Sequence, residues 1–128
     1  MKSVLSALAL FAVFSFMTMA GYSGTLEQVS NKELLKDKHN YIVLDTRSKQ
    51  EFDAGHIEGA INIPHDQIAN HIEQLLGYKK PIVVHCRSGR RAWVAEQEML
   101  AKGITNIKHL EGDMNGWLAD DLPVIANK

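Results

Sequence analysis

Hydrophobic and polar positions alternate along the chain in blocks that predict strands followed by helices. Two short apolar runs rich in β-branched residues, at residues 41–44 and 82–84, are typical of strands buried in a parallel sheet, and residues 107–110 predict a further strand. Residues 25–29 predict a short edge strand, and residues 60–63 predict another strand that Pro64 closes. Because helical patterns separate these runs, the sequence predicts the α/β class, with a mainly parallel central sheet and helices on both faces.

Capping residues predict where the helices begin. Residues 30–33 and 48–51 both have the Ser-x-x-Glu spacing of a capping box, so one helix should run to about residue 38 and another should end at Gly55. Asp66 is expected to cap a third helix, whose apolar face is Ile68, Ile72, Leu75 and Leu76. A longer helix is predicted at residues 92–101, and a short helix or turn at residues 112–118.

The chemistry of the chain is concentrated where the strand at residues 82–84 ends. Cys86 is the only cysteine. The residues that follow it are Arg87, Ser88, Gly89, Arg90 and Arg91. A lone cysteine after a buried strand is usually a small apolar side chain, but three arginines are poor neighbours for a core. Loop N–H groups, a helix start and arginines bind a small dianion and favour the thiolate, so the pattern indicates a nucleophilic Cys86 in an anion pocket.

Asp45, Thr46 and Arg47 follow the strand at residues 41–44. In open α/β sheets the functional sites lie at the carboxyl ends of the strands. We therefore expect Asp45 to lie at the same edge of the sheet as Cys86.

Composition excludes several classes of function. The net charge of −1 gives no reason to expect a nucleic-acid partner. The six histidines lack the spacing of metal ligands, and one cysteine can form neither a zinc cluster nor an internal disulfide. We therefore expect no metal site.

The first twenty residues have the pattern of a secretory signal peptide. Lys2 precedes an apolar run, and small residues surround a cleavage point after Ala20. This pattern predicts that residues 1–20 are removed and that residues 21–128 form one domain in the periplasm or outside the cell. The alternative is an uncleaved membrane anchor, although the apolar run is short for a span of about 20 residues.

Four separated motifs resemble those of single-domain rhodaneses, which are sulfurtransferases, and together they cover about residues 25–124. Residues 44–47 resemble the family's Asp-x-Arg, residues 55–64 its Gly-His-Ile-x-Gly-Ala-x-Asn-Ile-Pro, residues 85–91 its active-site loop, and residues 111–117 its Gly-Gly-x-x-x-Trp. Two residues depart from the pattern. Asp113 replaces a frequent second glycine, which bears on the local turn, and Ala92 replaces a frequent serine at the helix start.

The resemblance implies that Cys86 carries a persulfide and that the loop at residues 86–91 holds the sulfur and the donor anion through its N–H groups, those of Ser88 and Gly89 included. Arg91 and Arg87 are then expected to meet the sulfonate of the donor. Arg90 either meets the donor or is a solvated charge, and Ser88 either bonds the persulfide or caps the following helix.

The resemblance also assigns supporting residues. Asp45 and Arg47 are expected to hold loops near the site through charged hydrogen bonds. His56 and Trp117 are expected to pack rather than react. His85 points away from Cys86 if the strand alternates regularly, so we do not expect it to act as a base.

The function that the resemblance implies is transfer of a sulfane sulfur from thiosulfate, or a similar small anion, to a thiol or protein acceptor. No cofactor, nucleic acid or, after signal cleavage, membrane is expected to take part. One alternative is a phosphatase or arsenate reductase on the same fold, although phosphatases of this kind have one residue more than the four between Cys86 and Arg91. The other alternative is a non-catalytic sulfur-carrier or binding module.

Overall fold

The computed structural model describes residues 26–127, and in them five parallel strands form one sheet. The strands are β1 (Gln28–Val29), β2 (Ile42–Asp45), β3 (Ile61–Asn62), β4 (Ile82–His85) and β5 (Ile107–Leu110). Their order across the sheet is β1-β5-β4-β2-β3. The predicted α/β class is confirmed, and the strand that leads to Cys86 is the central one.

Helices cover both faces of this sheet. They are α1 (Asn31–Lys36), α2 (Lys49–Ala54), α3 (Ile72–Leu76), α4 (Arg90–Ala101) and α5 (Asp113–Ala119), with 3-10 helices at Lys38–Asn40 and His65–His71. Side chains alternate along each strand, so the sheet contributes to two cores. Leu44 and Val84 pack with α3 and α4 on one face, and Val43 and Val83 pack with α1 and α5 on the other.

The predicted helix at residues 66–76 is only partly correct. The chain first forms the 3-10 helix His65–His71, which follows Pro64 and has no side-chain cap, so the prediction that Asp66 caps a helix is wrong. Ile68 and Leu75 are buried as predicted, but Leu76 is 53% exposed. A 3-10 helix has three residues per turn, so it shifts the phase of the side chains that follow and turns Leu76 away from the core.

The two predicted capping sites do begin helices. At Ser48 both bonds of a capping box with Glu51 are present, and at Ser30 the hydroxyl accepts the N–H of Glu33. The first helix ends at Lys36 rather than near residue 38, because the chain tightens there into a 3-10 helix. The edge strand predicted at residues 25–29 is present as β1.

The predicted signal peptide, residues 1–20, lies outside the described residues. Within residues 26–127, no helix combines the length and the apolar character needed to cross a membrane.

Candidate active site

Cys86 lies at the carboxyl end of the central strand, where the backbone turns back over its side chain. The residue is only 1% exposed, and its Sγ accepts a hydrogen bond of 3.0 Å from the N–H of Gly89. Gly89 makes this turn with φ +112°, a conformation that side-chain-bearing residues rarely adopt. The loop therefore holds the sulfur against one backbone donor, and the contact of its N–H groups with a donor anion stays a prediction.

The same turn decides where α4 begins. Gly89 is the N-cap of α4, and no side chain caps this end, so the prediction that Ser88 caps the helix is wrong. Ser88 is exposed, because the chain must complete its turn around Sγ before it can enter the helix. The alternative role for Ser88, a bond to the persulfide, stays a prediction.

Arg90 and Arg91 belong to the first turn of α4 rather than to the loop. The positive end of the helix dipole opposes positive side chains there by about 0.3–1 kcal/mol each. Together with the loop residue Arg87, they concentrate positive charge beside Cys86. Arg87 and Arg90 are exposed, so both can meet an anion that arrives from solvent.

Arg91 is engaged with α2. Its guanidinium donates to Glu51 Oε1 at 2.6 Å and to Glu51 Oε2 at 3.0 Å. This hydrogen bonding lowers the pKa of Glu51 to about 2. The bond to Glu51 also raises the pKa of Arg91, although burial opposes this effect. Arg91 thus brings positive charge near Cys86 while it joins α2 to α4, and its direct contact with a donor stays a prediction.

Asp45 and Arg47 form a buried ion pair behind the loop. Arg47 donates to both carboxylate oxygens of Asp45 at 2.7–3.1 Å, and its guanidinium also donates to the carbonyl of Gly55 at 2.7 Å. The side chain of Asn62 donates to the carbonyls of Asp45 and Arg47. These bonds fix the end of β2 and both ends of α2, which carries Glu51, and they place the pair among the supporting residues.

His85 is fully buried on the face of the sheet opposite to Cys86. Its Nε2 lies 3.7 Å from Asp45 Oδ2, and its Nδ1 lies 3.0 Å from the carbonyl oxygen of Cys86. Burial lowers the pKa of His85, although the charge of Asp45 opposes this effect. A neutral imidazole on the far side of the strand is not placed to take a proton from Sγ.

The start of α5 holds the cysteine loop, which the sequence did not predict. The N–H of Cys86 donates to Asp113 Oδ1 at 2.9 Å, and the N–H of Met114 donates to the carbonyl of Cys86 at 3.0 Å. The N–H of Asn115 donates to the carbonyl of Arg87 at 3.0 Å. Asp113 adopts φ +54°, which glycine favours and aspartate tolerates. The sequence signal that could have pointed to this contact is Asp113 itself, which stands where the motif often has a second glycine.

His56 and Trp117 make packing contacts. The His56 ring stacks on Phe52 with centroids 3.7 Å apart, and the residue is 4% exposed. Trp117 is 2% exposed, and its indole N–H donates to the carbonyl of Pro123. Both side chains therefore pack within the fold, as the resemblance implied.

Comparison with known proteins identifies the family. The model of the rhodanese-like domain matches residues 28–120. The chain is 32% identical over 109 residues to thiosulfate sulfurtransferase 16, chloroplastic, of Arabidopsis thaliana, covering 73% of this chain and 86% of that protein. It is 33% identical over 88 residues to adenylyltransferase and sulfurtransferase UBA4 of Meyerozyma guilliermondii, covering 63% of this chain but 21% of that protein.

The structural comparison agrees with the family match. A rhodanese-related protein from Thermoplasma volcanium aligns with a TM-score of 0.68 and 29% identity, covering 77% of this chain and 97% of that one. The family match, the fold and the cysteine loop all lie within residues 26–127, which the structure describes. This chain therefore belongs to the rhodanese-like domain family, whose members include sulfurtransferases.

Proposed function

We propose that this protein is a thiosulfate sulfurtransferase that carries sulfur on Cys86. The observation that carries the proposal is the 3.0 Å hydrogen bond from the Gly89 N–H to Sγ, in a loop that presents the exposed Arg87 and is followed by the exposed Arg90 at the start of α4. A backbone donor at this position stabilises negative charge on the sulfur, and the arginines attract a dianionic donor. The relative from Arabidopsis thaliana, 32% identical, bears the name of this activity.

The first half of the reaction loads the cysteine. The Cys86 thiolate attacks the outer sulfur of thiosulfate, a new S–S bond forms at Sγ, and the S–S bond of thiosulfate breaks. Sulfite leaves with the electron pair of that bond. The Gly89 N–H and the nearby arginines stabilise the negative charge on the reacting sulfur and on the departing sulfite. Their dipole and charges are already in place before the reaction.

The second half unloads the cysteine. A thiophile attacks the outer sulfur of the persulfide, and Cys86 leaves as the thiolate with the electron pair. Cyanide serves as the acceptor in an assay, and a thiol or a protein serves in the cell. Neither half of this reaction uses a metal or an organic cofactor.

The burial of Cys86 restricts the donor. Since the residue is 1% exposed, a donor must bring a narrow terminal sulfur down to Sγ through the loop. Thiosulfate presents such a sulfur on a small dianion. Bulky disulfides do not, so we expect them to react slowly.

Turnover tests this function. Formation of thiocyanate from thiosulfate and cyanide is measured for the wild type, for Cys86→Ser and for Arg87→Ala. We expect no turnover from Cys86→Ser, and a raised KM for thiosulfate with a smaller change in kcat from Arg87→Ala. Substantial turnover by Cys86→Ser would exclude Cys86 as the nucleophile.

Two further assays separate the alternatives. Hydrolysis of a small aryl phosphate, absent from Cys86→Ser, would favour a phosphatase. Loading of one sulfur on Cys86 without turnover on cyanide or small thiols would favour a sulfur-carrier module. We expect neither result.

We also propose that the protein is exported. The support is the sequence of residues 1–20, with Lys2, an apolar run and small residues before the cleavage point. Expression of the full chain in a bacterium, followed by fractionation and mass measurement, should give a periplasmic protein that begins at Gly21. Recovery of the intact chain in the membrane fraction would instead show an uncleaved anchor.

A further inference from the structure

Three ionisable side chains outside the proposed reaction form one chain of hydrogen bonds beside the cysteine loop. His109 on β5 has its Nδ1 2.8 Å from Glu96 Oε2 on α4 and its Nε2 3.0 Å from Asp113 Oδ2 on α5. The side chains of Glu96 and Asp113 are 4% and 5% exposed, and that of His109 is 14% exposed. Ionised carboxylates only accept hydrogen bonds, so a histidine between two ionised carboxylates serves both of them only when it carries two protons.

The charge state of the cluster follows from these contacts. Burial alone lowers the pKa of His109, but the hydrogen bonds to Asp113 and Glu96 raise it to about 10. Burial raises the pKa of Glu96, and the bond to His109 opposes that effect. Near neutral pH the imidazolium therefore lies between two acidic groups and offsets the charge of Asp113.

Asp113 is the member of the cluster that contacts the nucleophile's loop. One carboxylate oxygen accepts the N–H of Cys86 at 2.9 Å. The other oxygen would lie 3.2 Å from a Cβ built on Gly89, the residue that donates to Sγ. An unbalanced carboxylate at this position would oppose both the thiolate and an anionic donor.

We propose that Asp113 is a positioning residue for the Cys86 loop, and that His109, held by Glu96, neutralises Asp113 so that this contact does not oppose the thiolate. The inference deepens the proposed function and rests on it, because it names what tunes the reactivity of the sulfur-carrying residue. Glu96, His109 and Asp113 were not among the site residues predicted from the sequence.

The other charged groups near the cluster leave this assignment intact. His85 projects to the opposite face of β4, and burial lowers its pKa. Lys108 projects to the opposite face of β5 and pairs with Glu27 at 3.2 Å. Arg91, at the start of α4, is paired with Glu51.

Alkylation of Cys86 by iodoacetamide over a range of pH tests the proposal, because it reports the thiolate without any sulfur transfer. His109→Gln keeps a polar side chain and removes the positive charge. Asp113→Asn keeps an oxygen that can accept the Cys86 N–H, tolerates the positive φ and removes the negative charge. Near neutral pH we expect His109→Gln to slow alkylation, because it removes a positive charge, and Asp113→Asn to accelerate it, because it removes a negative charge. Each change in rate should be about three- to tenfold.

Opposite shifts of the two pH profiles, with the double variant close to wild type, are the expected result. If His109 and Asp113 had a purely structural role, both substitutions would shift the rate of alkylation in the same direction, and that result would overturn the proposal. Glu96→Gln is one side chain farther from Cys86 and should shift the profile less than either of the other variants.

A measurement on the unaltered protein guards against misfolded variants. In nitrogen-15 spectra of labelled histidine, both ring nitrogens of His109 should still carry protons at pH 8. A neutral His109 at that pH would overturn the proposal. Neither experiment uses thiosulfate, so failure of sulfur transfer with opposite alkylation shifts would reject the proposed function but not the effect of His109 and Asp113 on the Cys86 thiolate.

Discussion

At the scale of single residues, Gly89 controls the geometry of the site. It has φ +112°, donates to Sγ and caps α4. A Cβ at this position would lie 3.2 Å from Asp113 Oδ2, whose carboxylate is already held by His109 and the Cys86 N–H. Any other residue type at this position would therefore strain the backbone and press on the Asp113 carboxylate.

Gly89→Ala should reduce kcat/KM for thiosulfate by about tenfold or more, because both the left-handed backbone and the contact with Asp113 displace the donor N–H. Gly103→Ala is the matched control. Gly103 has φ +82°, and no atom of the described residues lies within 4 Å of the place that its Cβ would take. Its replacement should therefore lower stability by about 1–2 kcal/mol and keep the activity. Equal activities of the two variants would show that the loop does not need a glycine at residue 89.

The residues of the site differ in how far the sequence could identify them. Cys86 and the arginines could be predicted, since their chemistry is contiguous in the chain. Glu51 and Asp113 could not, because they contact Arg91 and Cys86 across 40 and 27 positions of sequence. The sequence also assigned Glu51 a local role as the third helical residue of a capping box, so nothing indicated its contact with Arg91.

At the scale of elements, the pair of Glu51 and Arg91 connects α2 to the helix that follows the cysteine loop. The side chains are 33% and 30% exposed, so solvent screens the pair, and we expect it to contribute less than about 1 kcal/mol to stability. The contribution should nevertheless depend on pH, because the pKa of Glu51 falls from 4.5 to about 2 on pairing.

Glu51→Gln should therefore be less stable than the wild type at pH 7. A lowered pKa in the folded state stabilises the protein above the unfolded value of 4.5 and ceases to do so as the pH falls towards 2. Urea unfolding at pH 7, 5, 4 and 3 should show a constant difference down to about pH 5 and a shrinking one below it. Arg91→Gln and the double variant complete the cycle, and a difference that does not change with pH would exclude this account of the pair.

The helix α3 provides a second test at this scale. Leu75 is fully buried and Leu76 is 53% exposed, although the two are adjacent. Leu75→Ala should lower the free energy of unfolding by about 2–5 kcal/mol, whereas Leu76→Ala should change it by less than about 0.5 kcal/mol. Equal losses in urea unfolding would mean that α3 has a different rotation about its axis.

The error over α3 has a physical cause. Apolar spacing in residues 66–76 fits one continuous α-helix, and the sequence holds no signal for the change from 3-10 to α geometry near His71. Helix starts at Ser30 and Ser48 were predictable because a side-chain cap is a local contact.

At the scale of the whole molecule, the strand order places the nucleophile at the centre of the sheet. Periodicity predicted strands and a parallel sheet, but not which strands are neighbours, because strand order depends on contacts between distant segments. The order β1-β5-β4-β2-β3 buries β4 between β5 and β2. It also lets α5 contact the backbone of Cys86 and α2 contact the start of α4.

The C-terminal segment ties distant parts of this architecture together. Ile125 exchanges two backbone hydrogen bonds of 2.9 Å with His56, the Asn127 N–H donates to the carbonyl of Asp53, and Trp117 donates to the carbonyl of Pro123. Removal of residues 123–128 should lower the thermal unfolding temperature by several degrees, because Asp53, His56 and Trp117 lose these hydrogen bonds. Thermal unfolding followed by circular dichroism checks this, with deletion of Lys128 alone as the control, and equal transitions would contradict it.

The central claim is that Cys86 accepts and releases sulfur, and intact mass spectrometry tests it most directly. The purified, reduced protein is incubated with thiosulfate, weighed, treated with cyanide and weighed again. The account predicts a gain of one sulfur atom on Cys86 that cyanide removes as thiocyanate, and no gain for Cys86→Ser. No gain by a wild-type protein whose thiol is demonstrably free would contradict it.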